Sequence, residues 1–145
     1  MTPQDIGIKL KEFTEGKDVQ FDMSSFSVRS IENGDRNFSL NNLLTYCDYG
    51  GIQMSITDLN TEESWDVYSV FEIHKVLKLL MDRYNVDNKL VYRKTAMHYT
   101  PPKSFEGEDM NDRFRFALSI KTLLAVCEVI HCKLDFRLKT DEKQC

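Results

Sequence analysis

Three histidines and four cysteines are the side chains of this sequence best suited to catalysis or metal binding. Histidine is the usual general base and the commonest metal ligand, and a cysteine thiolate is a nucleophile. Cys127 and His131 lie four residues apart, a spacing that places both side chains on one face of a helix. A structural zinc site needs four ligands, however, and the sequence contains neither a C-x-x-C nor an H-x-x-x-H pair. We therefore predict no metal site and a buried free thiol at Cys127.

The two remaining histidines differ in their surroundings. His74 stands beside Lys75 and Lys78 on a predicted helix, so we expect it to be solvated. His98 precedes a Pro-Pro bend and could act as a base toward Cys47 or toward a loop carboxylate, which would make the protein a small hydrolase or transferase. The sequence has no G-x-x-x-x-G-K-[ST] or G-x-G-x-x-G phosphate loop. We predict no cofactor and keep the enzyme as an alternative hypothesis.

Carboxylates cluster in two predicted loops. The first cluster is Asp58, Glu62, Glu63 and Asp66, and the second is Glu106, Glu108, Asp109 and Asp112. Oxygen ligands of this kind can hold a hard cation, but neither cluster matches the D-x-[DN]-x-[DN]-G calcium pattern. Both clusters are predicted to be solvated acidic loops.

Charge is distributed unevenly along the chain. Residues 1–72 carry 5 Lys+Arg and 13 Asp+Glu, a net of −8, and residues 73–145 carry 14 and 10, a net of +4, which together give the net charge of −4. A coherent negative face would steer a basic partner toward the protein, such as the nucleic-acid-binding surface of another protein. A chance distribution of charge in a moderately acidic protein is the competing interpretation.

The predicted partner-binding site combines the first acidic loop with nearby aromatic residues, because Tyr and Trp are enriched at binding hot spots. Its residues are Asp58, Glu62, Glu63, Trp65, Asp66, Tyr46 and Tyr49. Direct nucleic-acid binding would instead use the basic residues between 93 and 115, with Tyr92, Tyr99 and Phe114 as stacking platforms. Four acids between Lys103 and Arg113 and the negative net charge argue against that use.

Three helices are predicted. Thr2-Pro3-Gln4-Asp5 offers a hydroxyl N-cap, proline at the first helical position and an acid three residues after the cap, which indicates a helix over 3–15. Ser69-Val70-Phe71-Glu72 is a capping box at the start of a second helix, which ends near residue 85. The first part of 112–132 fits both a strand and a helix, and its apolar stripe favours a single helix.

Alternation of apolar and polar residues predicts the strands. They lie at 19–23, 26–28, 38–40, 52–56, 65–67, 89–99 and 134–138, and the first five form a meander. Asn33-Gly34 fits a type I′ hairpin turn, and Gly50-Gly51 introduces a second hairpin. Pro101-Pro102 begins a loop over 100–111. No internal repeat of useful length is evident.

The length of 145 residues fits one domain, 1–145, of the α+β class. We expect an antiparallel, meander-rich sheet packed against two main helices, with the short N-terminal helix at an edge. No apolar run is long enough to span a membrane, and the N-terminus lacks a secretory signal, so the expected location is cytoplasmic, with free thiols.

The lack of a catalytic motif and the uneven charge lead to one functional hypothesis. The protein is expected to be a small acidic binding module that inhibits or neutralises a partner protein. Phage anti-host or anti-defence factors and bacterial immunity or antitoxin proteins share this profile, which is an analogy of composition only. A structural component of a viral or other assembly is a further alternative, and the sequence leaves homo-oligomerisation open.

Overall fold

Three strands form one antiparallel sheet in the computed structural model, which describes residues 1–34, 37–102 and 117–139. The strands are β1 (Ile52–Asp58), β2 (Ser64–Val67) and β3 (Cys132–Leu138), in the order β2-β1-β3. The helices of the described ranges are α1 (Pro3–Thr14), α2 (Ser25–Asn33), α3 (Leu40–Gly50), α4 (Val70–Arg83), α5 (Asn88–Thr95) and α6 (Ile120–Ile130). These elements make a single α+β domain, so the fold class predicted from the sequence is confirmed.

β1 is the central strand and pairs with both neighbours. Ser55 lies opposite Asp66 of β2 on one side and opposite Asp135 of β3 on the other. Ile52, Met54 and Ile56 are buried in one hydrophobic core, to which each of the six helices contributes residues. They alternate with the polar residues of β1. The sheet therefore has one apolar face, covered by helices, and one polar face.

Several elements begin and end where the local signals predict. At the start of α1, the Thr2 hydroxyl accepts from the Asp5 backbone N–H and the Asp5 carboxylate accepts from the Thr2 N–H, which completes a capping box. Ser69 caps α4 in the same position relative to Glu72. The strands predicted at 52–56, 65–67 and 134–138 are confirmed as β1, β2 and β3, with β1 and β2 forming a hairpin.

The strands predicted between residues 19 and 40 are wrong. Residues 19–23 form no strand, and 26–28 belong to α2, whose first turn is capped by the Ser24 hydroxyl. Gly34 has a φ of 63° and is the C-cap of α2 rather than part of a hairpin turn. Ser39 caps α3 at residue 40. Short apolar alternation fits both a strand and one face of a short helix. The hydroxyl caps at Ser24 and Ser39 stabilise the helices here.

Two predictions in the second half are also wrong. The strand expected at 89–99 is α5, which begins at the Asp87 cap and ends at Ala96, whose φ is 60°. The helix expected over 112–132 begins at Ile120, because Ser119 caps it, and it ends before Cys132, the first residue of β3. Most of the predicted 100–111 loop, the second acidic cluster and the first residues of the expected helix, 112–116, lie outside the described residues. The sheet thus has three strands within the described ranges, rather than the larger meander expected.

α3 with β1 and α6 with β3 are structural repeats, eighty residues apart. Each unit begins with a serine cap, Ser39 or Ser119, and these two residues form a β-bridge with each other. The bridge has two reciprocal hydrogen bonds, from Leu40 N–H to the Leu118 carbonyl (2.8 Å) and from Ile120 N–H to the Phe38 carbonyl (2.9 Å). Each unit thus contacts its equivalent through equivalent atoms.

The same eighty-residue relation holds along both units. Each helix has 11 residues and each strand has 7. Between helix and strand, Gly51 and His131 occupy the left-handed region with φ of 67° and 53°. Ser55 pairs in the sheet with its own equivalent, Asp135. An approximate two-fold axis therefore relates the units, and the repeat is one of structure that the sequence did not reveal.

Sequence identity between the units is too low to reveal this relation. The residues shared at equivalent positions are Ser39 and Ser119, Leu43 and Leu123, Leu44 and Leu124, and Cys47 and Cys127. Leucines and a serine cap are common in buried helices, so these shared residues are a weak sequence signal of a repeat. Only the self-pairing at the bridge and in the sheet makes the repeat plain.

The crossing of α1 and α2 predicts a specific intolerance at Gly7. A Cβ there would lie 2.7 Å from the Ile31 carbonyl oxygen and closer still to that of Glu32. Alanine gains about 1 kcal/mol in helix propensity, but the collision should outweigh this gain. We expect Gly7→Ala to lower the free energy of unfolding by about 1–3 kcal/mol in urea titrations.

Gly16→Asn is the matched control for this substitution. Gly16 has a φ of 76° and open space around its Cα, and asparagine tolerates this conformation. Its expected loss is under about 1 kcal/mol, because only the left-handed φ opposes a side chain there. A Gly7→Ala variant as stable as the wild type would contradict the close helix crossing.

Candidate functional site

The residues of the predicted partner-binding site do not lie on one surface. Tyr46 and Tyr49 are on α3, before the start of β1, whereas the acidic loop follows the end of β1. The seven-residue strand β1 separates the tyrosines from the loop that begins at Asp58 by roughly 20 Å, and Asp66 lies beside the middle of that strand, opposite Ser55. The site must therefore be considered as two regions.

Asp58 is a buried structural carboxylate. Its side chain has no solvent exposure and accepts hydrogen bonds from Arg83 Nη1 (2.9 Å), the Tyr84 hydroxyl (2.5 Å) and the Asn60 backbone N–H (2.9 Å). Burial alone would raise the pKa of Asp58, but these hydrogen bonds outweigh it and hold the pKa at about 2. Asp58 therefore joins the β1–β2 loop to the end of α4 and is not available to a partner.

The other loop residues also make internal contacts. Glu63 Oε1 lies 2.9 Å from the same Arg83 nitrogen atom, and the Arg83 guanidinium lies 5.7 Å from the centre of the half-buried Trp65 ring. Asp66 forms a two-pronged ion pair with Arg137, at 3.0 and 2.9 Å. Of the predicted loop residues, only Glu62 is exposed without an ion pair in the described part of the chain.

These ion pairs connect the acidic half of the sequence to the basic half. A fourth ion pair, between Asp48 and Lys139 Nζ at 3.4 Å, also joins the two halves. Every one of the four acids lies in residues 1–72, and its cation lies in residues 73–145. Part of the charge asymmetry in the sequence is therefore an internal complementarity and not a face presented to a partner.

The Asp58 cluster predicts a stability loss at acid pH. Because its folded pKa lies below the usual carboxyl value of 3.8, ionised Asp58 stabilises the fold above about pH 4, and this contribution is lost as the pH falls toward 2. Asp58→Asn should cost roughly 1–3 kcal/mol at neutral pH and much less near pH 2. Urea unfolding followed by the fluorescence of Trp65, the only tryptophan, measures both values.

Glu63→Gln is the control for Asp58→Asn because it removes a carboxylate from the same arginine. The Glu63 side chain is 51% exposed, so the expected loss is under about 1 kcal/mol. Equal losses in the two variants would show that burial of Asp58 has no special role.

Tyr46 and Tyr49 do not line but adjoin a different region, which we name the α1 groove. It is a cavity of about 490 Å³. It is lined by Ile8, Lys11, Glu12, Thr14, Glu15, Lys17, Val19, Phe21 and Glu32. The Phe21 ring stacks on Tyr46, with ring centres 4.6 Å apart, and meets the edge of Tyr49 at 6.5 Å.

Tyr46 is a buried support of the α1 groove rather than a surface contact. Its hydroxyl donates to Glu32 Oε2 (2.8 Å) and lies 3.2 Å from Thr14 Oγ1. Burial raises the pKa of Tyr46, so the phenol remains a donor at all ordinary pH values. Tyr49, in contrast, is 41% exposed. Of the two tyrosines predicted to contact a partner, only Tyr49 can do so directly.

A second cavity, which we name the histidine cleft, measures about 300 Å³. Its described lining consists of His74, His98, Tyr99, Thr100, Pro102, Ala117, Leu118, Ser119 and Thr122. The prediction that His74 is solvated is wrong, because only 3% of it is exposed and its Nδ1 lies 2.7 Å from the Tyr99 hydroxyl. His98 is exposed and stacks on Tyr92 at 4.4 Å.

The structure gives no support to a pair formed by His98 and Cys47. The described lining of the histidine cleft contains neither this cysteine nor any carboxylate. Cys47 is buried, and burial raises its pKa to about 12, which keeps the thiol protonated and a poor nucleophile. Cys127 is buried as predicted, and a hydrogen bond with Cys132 together with burial raises its pKa well above the usual value.

Sequence reasoning missed the histidine cleft because its polar residues come from distant segments. His74 is on α4, His98 and Tyr99 follow α5, and Ser119 and Thr122 begin α6. The only local signal was His98 itself, just before the Pro101-Pro102 bend. Within the described residues, no three His, Cys, Asp or Glu side chains come together as metal ligands, and no helix is both long and apolar enough to cross a membrane.

Comparison with known proteins adds no further information about the two cavities. A scan of family models, a search of curated proteins and a search of solved structures each gave no significant match.

Proposed function

We propose that the protein is a non-catalytic binding module that inhibits or neutralises a partner protein, and that it binds a basic segment of that partner in the α1 groove. The observation that carries this proposal is the position of the exposed acids that form no ion pair in the described part of the chain. The proposal keeps the function expected from charge and aromatic composition. It assigns the docking surface to α1 and not to the β1–β2 loop.

The negative charge that remains unpaired concentrates beside the α1 groove. Glu12, Glu15, Asp18 and Asp22 are exposed and form no ion pair in the described part of the chain. They lie within α1 and the irregular segment that follows it. The groove lining carries Glu12, Glu15 and Glu32 against Lys11 and Lys17, so its net charge is −1. A partner segment with basic residues is favoured over an acidic one because like charges at an interface oppose binding.

The floor of the α1 groove supplies the apolar part of a docking surface. Ile8 is 59% exposed, and the stacked Phe21 and the exposed Tyr49 extend the apolar area. The hydrogen bond from Tyr46 to Glu32 and the contact of the Tyr46 hydroxyl with Thr14 hold Tyr46 in place beside them. Aromatic residues surrounded by a polar rim are common at protein-binding sites.

The test uses charge reversal in the α1 groove. The probe is a short peptide of alternating arginine and leucine, with a glutamate–leucine peptide of equal length as its counterpart. We expect the basic peptide to bind with saturable NMR shifts at Ile8, Phe21 and Tyr49, and high salt to weaken binding. The double variant Glu12→Lys with Glu15→Lys should weaken it at least tenfold.

Glu62→Lys is the matched control, since it reverses an exposed acid in the loop that the sequence singled out. Wild-type affinity in this variant supports the α1 groove. Loss of binding in Glu62→Lys, with none in the double variant, would return the docking surface to the β1–β2 loop. Equal binding of the two peptides would overturn charge-directed docking. Partners from cell extract count only if they stay bound to Glu62→Lys and are lost from the double variant.

A further inference from the structure

We infer that the α1 groove selects arginine over lysine in the basic segment that it binds, and that Glu32 is the residue that receives the guanidinium group. This inference rests on the proposed function, since it names the side chain that the α1 groove recognises. It depends on the way Glu32 is held, on the aromatic ring nearby and on the small net charge of the lining.

The α1 groove is formed by one continuous stretch of the described chain, because every described residue of its lining lies between Ile8 and Glu32. After α2 the chain continues at the other end of α1, since a Cβ on Gly34 would lie 2.5 Å from the Pro3 carbonyl oxygen. Pro3 is roughly 16 Å along the helix from Thr14, which lines the groove. The chain beyond Gly34 therefore begins away from the α1 groove.

Glu32 differs from the other acids of the groove because it is half-buried and held in one orientation. Its Oε2 atom accepts from the Tyr46 hydroxyl at 2.8 Å, and that hydroxyl also contacts Thr14 Oγ1 at 3.2 Å. Within the described residues, Glu32 forms no ion pair and accepts no other side-chain hydrogen bond. A carboxylate has about four acceptor positions, so Glu32 keeps acceptors on both oxygens for a partner.

Tyr46 holds an aromatic ring as well as Glu32. The Phe21 ring stacks on Tyr46 with ring centres 4.6 Å apart, and it meets the edge of Tyr49 at 6.5 Å. Phe21 is half-buried and lines the α1 groove. One buried side chain thus fixes both a carboxylate and an apolar ring. The long apolar stem of a basic side chain can pack along such a ring while its charged end reaches the carboxylate.

A guanidinium group suits this arrangement better than an ammonium group. It is planar and carries five N–H donors in a fixed fork, which bonds both oxygens of a carboxylate at once. It also packs against aromatic rings. An ammonium group is a compact and strongly hydrated charge with no such fork. Because Tyr46 already orders the Glu32 carboxylate, little entropy is lost when a partner with fixed donors binds to it.

The net charge of the lining does not distinguish the two basic side chains. The lining carries Glu12, Glu15 and Glu32 against Lys11 and Lys17, a net of −1. Attraction that depends on charge alone is the same for arginine and lysine, since each carries one positive charge. The preference for arginine therefore comes from directional hydrogen bonds, and the ordered Glu32 carboxylate is the group that accepts them.

Peptide binding to the full chain tests the selection. The probes are the arginine–leucine peptide, a lysine–leucine peptide of equal length and the glutamate–leucine peptide. We expect the arginine peptide to bind at least tenfold more tightly than the lysine peptide, and both to bind more tightly than the acidic one. Equal affinity of the two basic peptides would overturn the selection of arginine and leave the proposed docking intact. Basic peptides that bind no better than the acidic one would overturn the proposed function and this inference together.

Glu32→Gln tests the receiving residue. The glutamine amide oxygen can still accept from the Tyr46 hydroxyl, whereas the ion pair with a guanidinium group is lost. We expect this variant to bind the arginine and lysine peptides with equal affinity. Glu12→Gln is the matched control, because it removes an exposed acid of the same lining. It should weaken both basic peptides alike and keep their ratio. A ratio unchanged by Glu32→Gln, or lost equally in Glu12→Gln, would overturn the role of Glu32.

The guanidinium group itself supplies a readout on the wild-type protein, which does not depend on the folding of any variant. In an arginine–leucine peptide labelled with ¹⁵N at the arginine side chains, guanidinium N–H signals should shift saturably as the complex forms. The same signals should shift much less with Glu32→Gln at equal occupancy. A saturated wild-type complex without these shifts would contradict the hydrogen bonds to Glu32.

Discussion

The antiparallel pairing of β1 with β3, repeated at the Ser39–Ser119 bridge, is the constraint on which the rest of the structure depends. These two contacts join the helix–strand units at both ends of their helices. Since the Ser39–Ser119 and Ser55–Asp135 pairs each join equivalent residues, both contacts fix the same register between the units. α4 then packs against the apolar face so formed, and β2 extends the sheet by a hairpin.

Ion pairs between the two halves of the sequence strengthen this arrangement. The Asp58 carboxylate, buried beneath Arg83 and Tyr84, is the deepest of them. A carboxylate in such a place requires its partners, because an unpaired buried charge would be very costly. Acids concentrated in one half of a chain can thus serve folding, and the asymmetry of the sequence alone does not indicate a docking face.

The described residues that line the two cavities take no part in these ion pairs. The α1 groove borders the irregular segment after α1, where several acids have no basic partner in the described chain. The histidine cleft lies where the second unit has Ala117 in place of Asn37. The α1 groove is the cavity on which the proposed docking of a basic peptide depends.

Local chemistry alone determined α1, α4 and the three strands, because caps at Thr2 and Ser69 and the alternation around Met54 act within a few residues of the chain. Short segments such as α2 and α5 escaped prediction, since their few apolar residues fit either period. Only the tertiary structure decided that Asp58 is buried and His74 part of a cavity. Their partners, Arg83 and Tyr99, lie 25 residues away in each case, and no local pattern encodes which distant groups folding brings together.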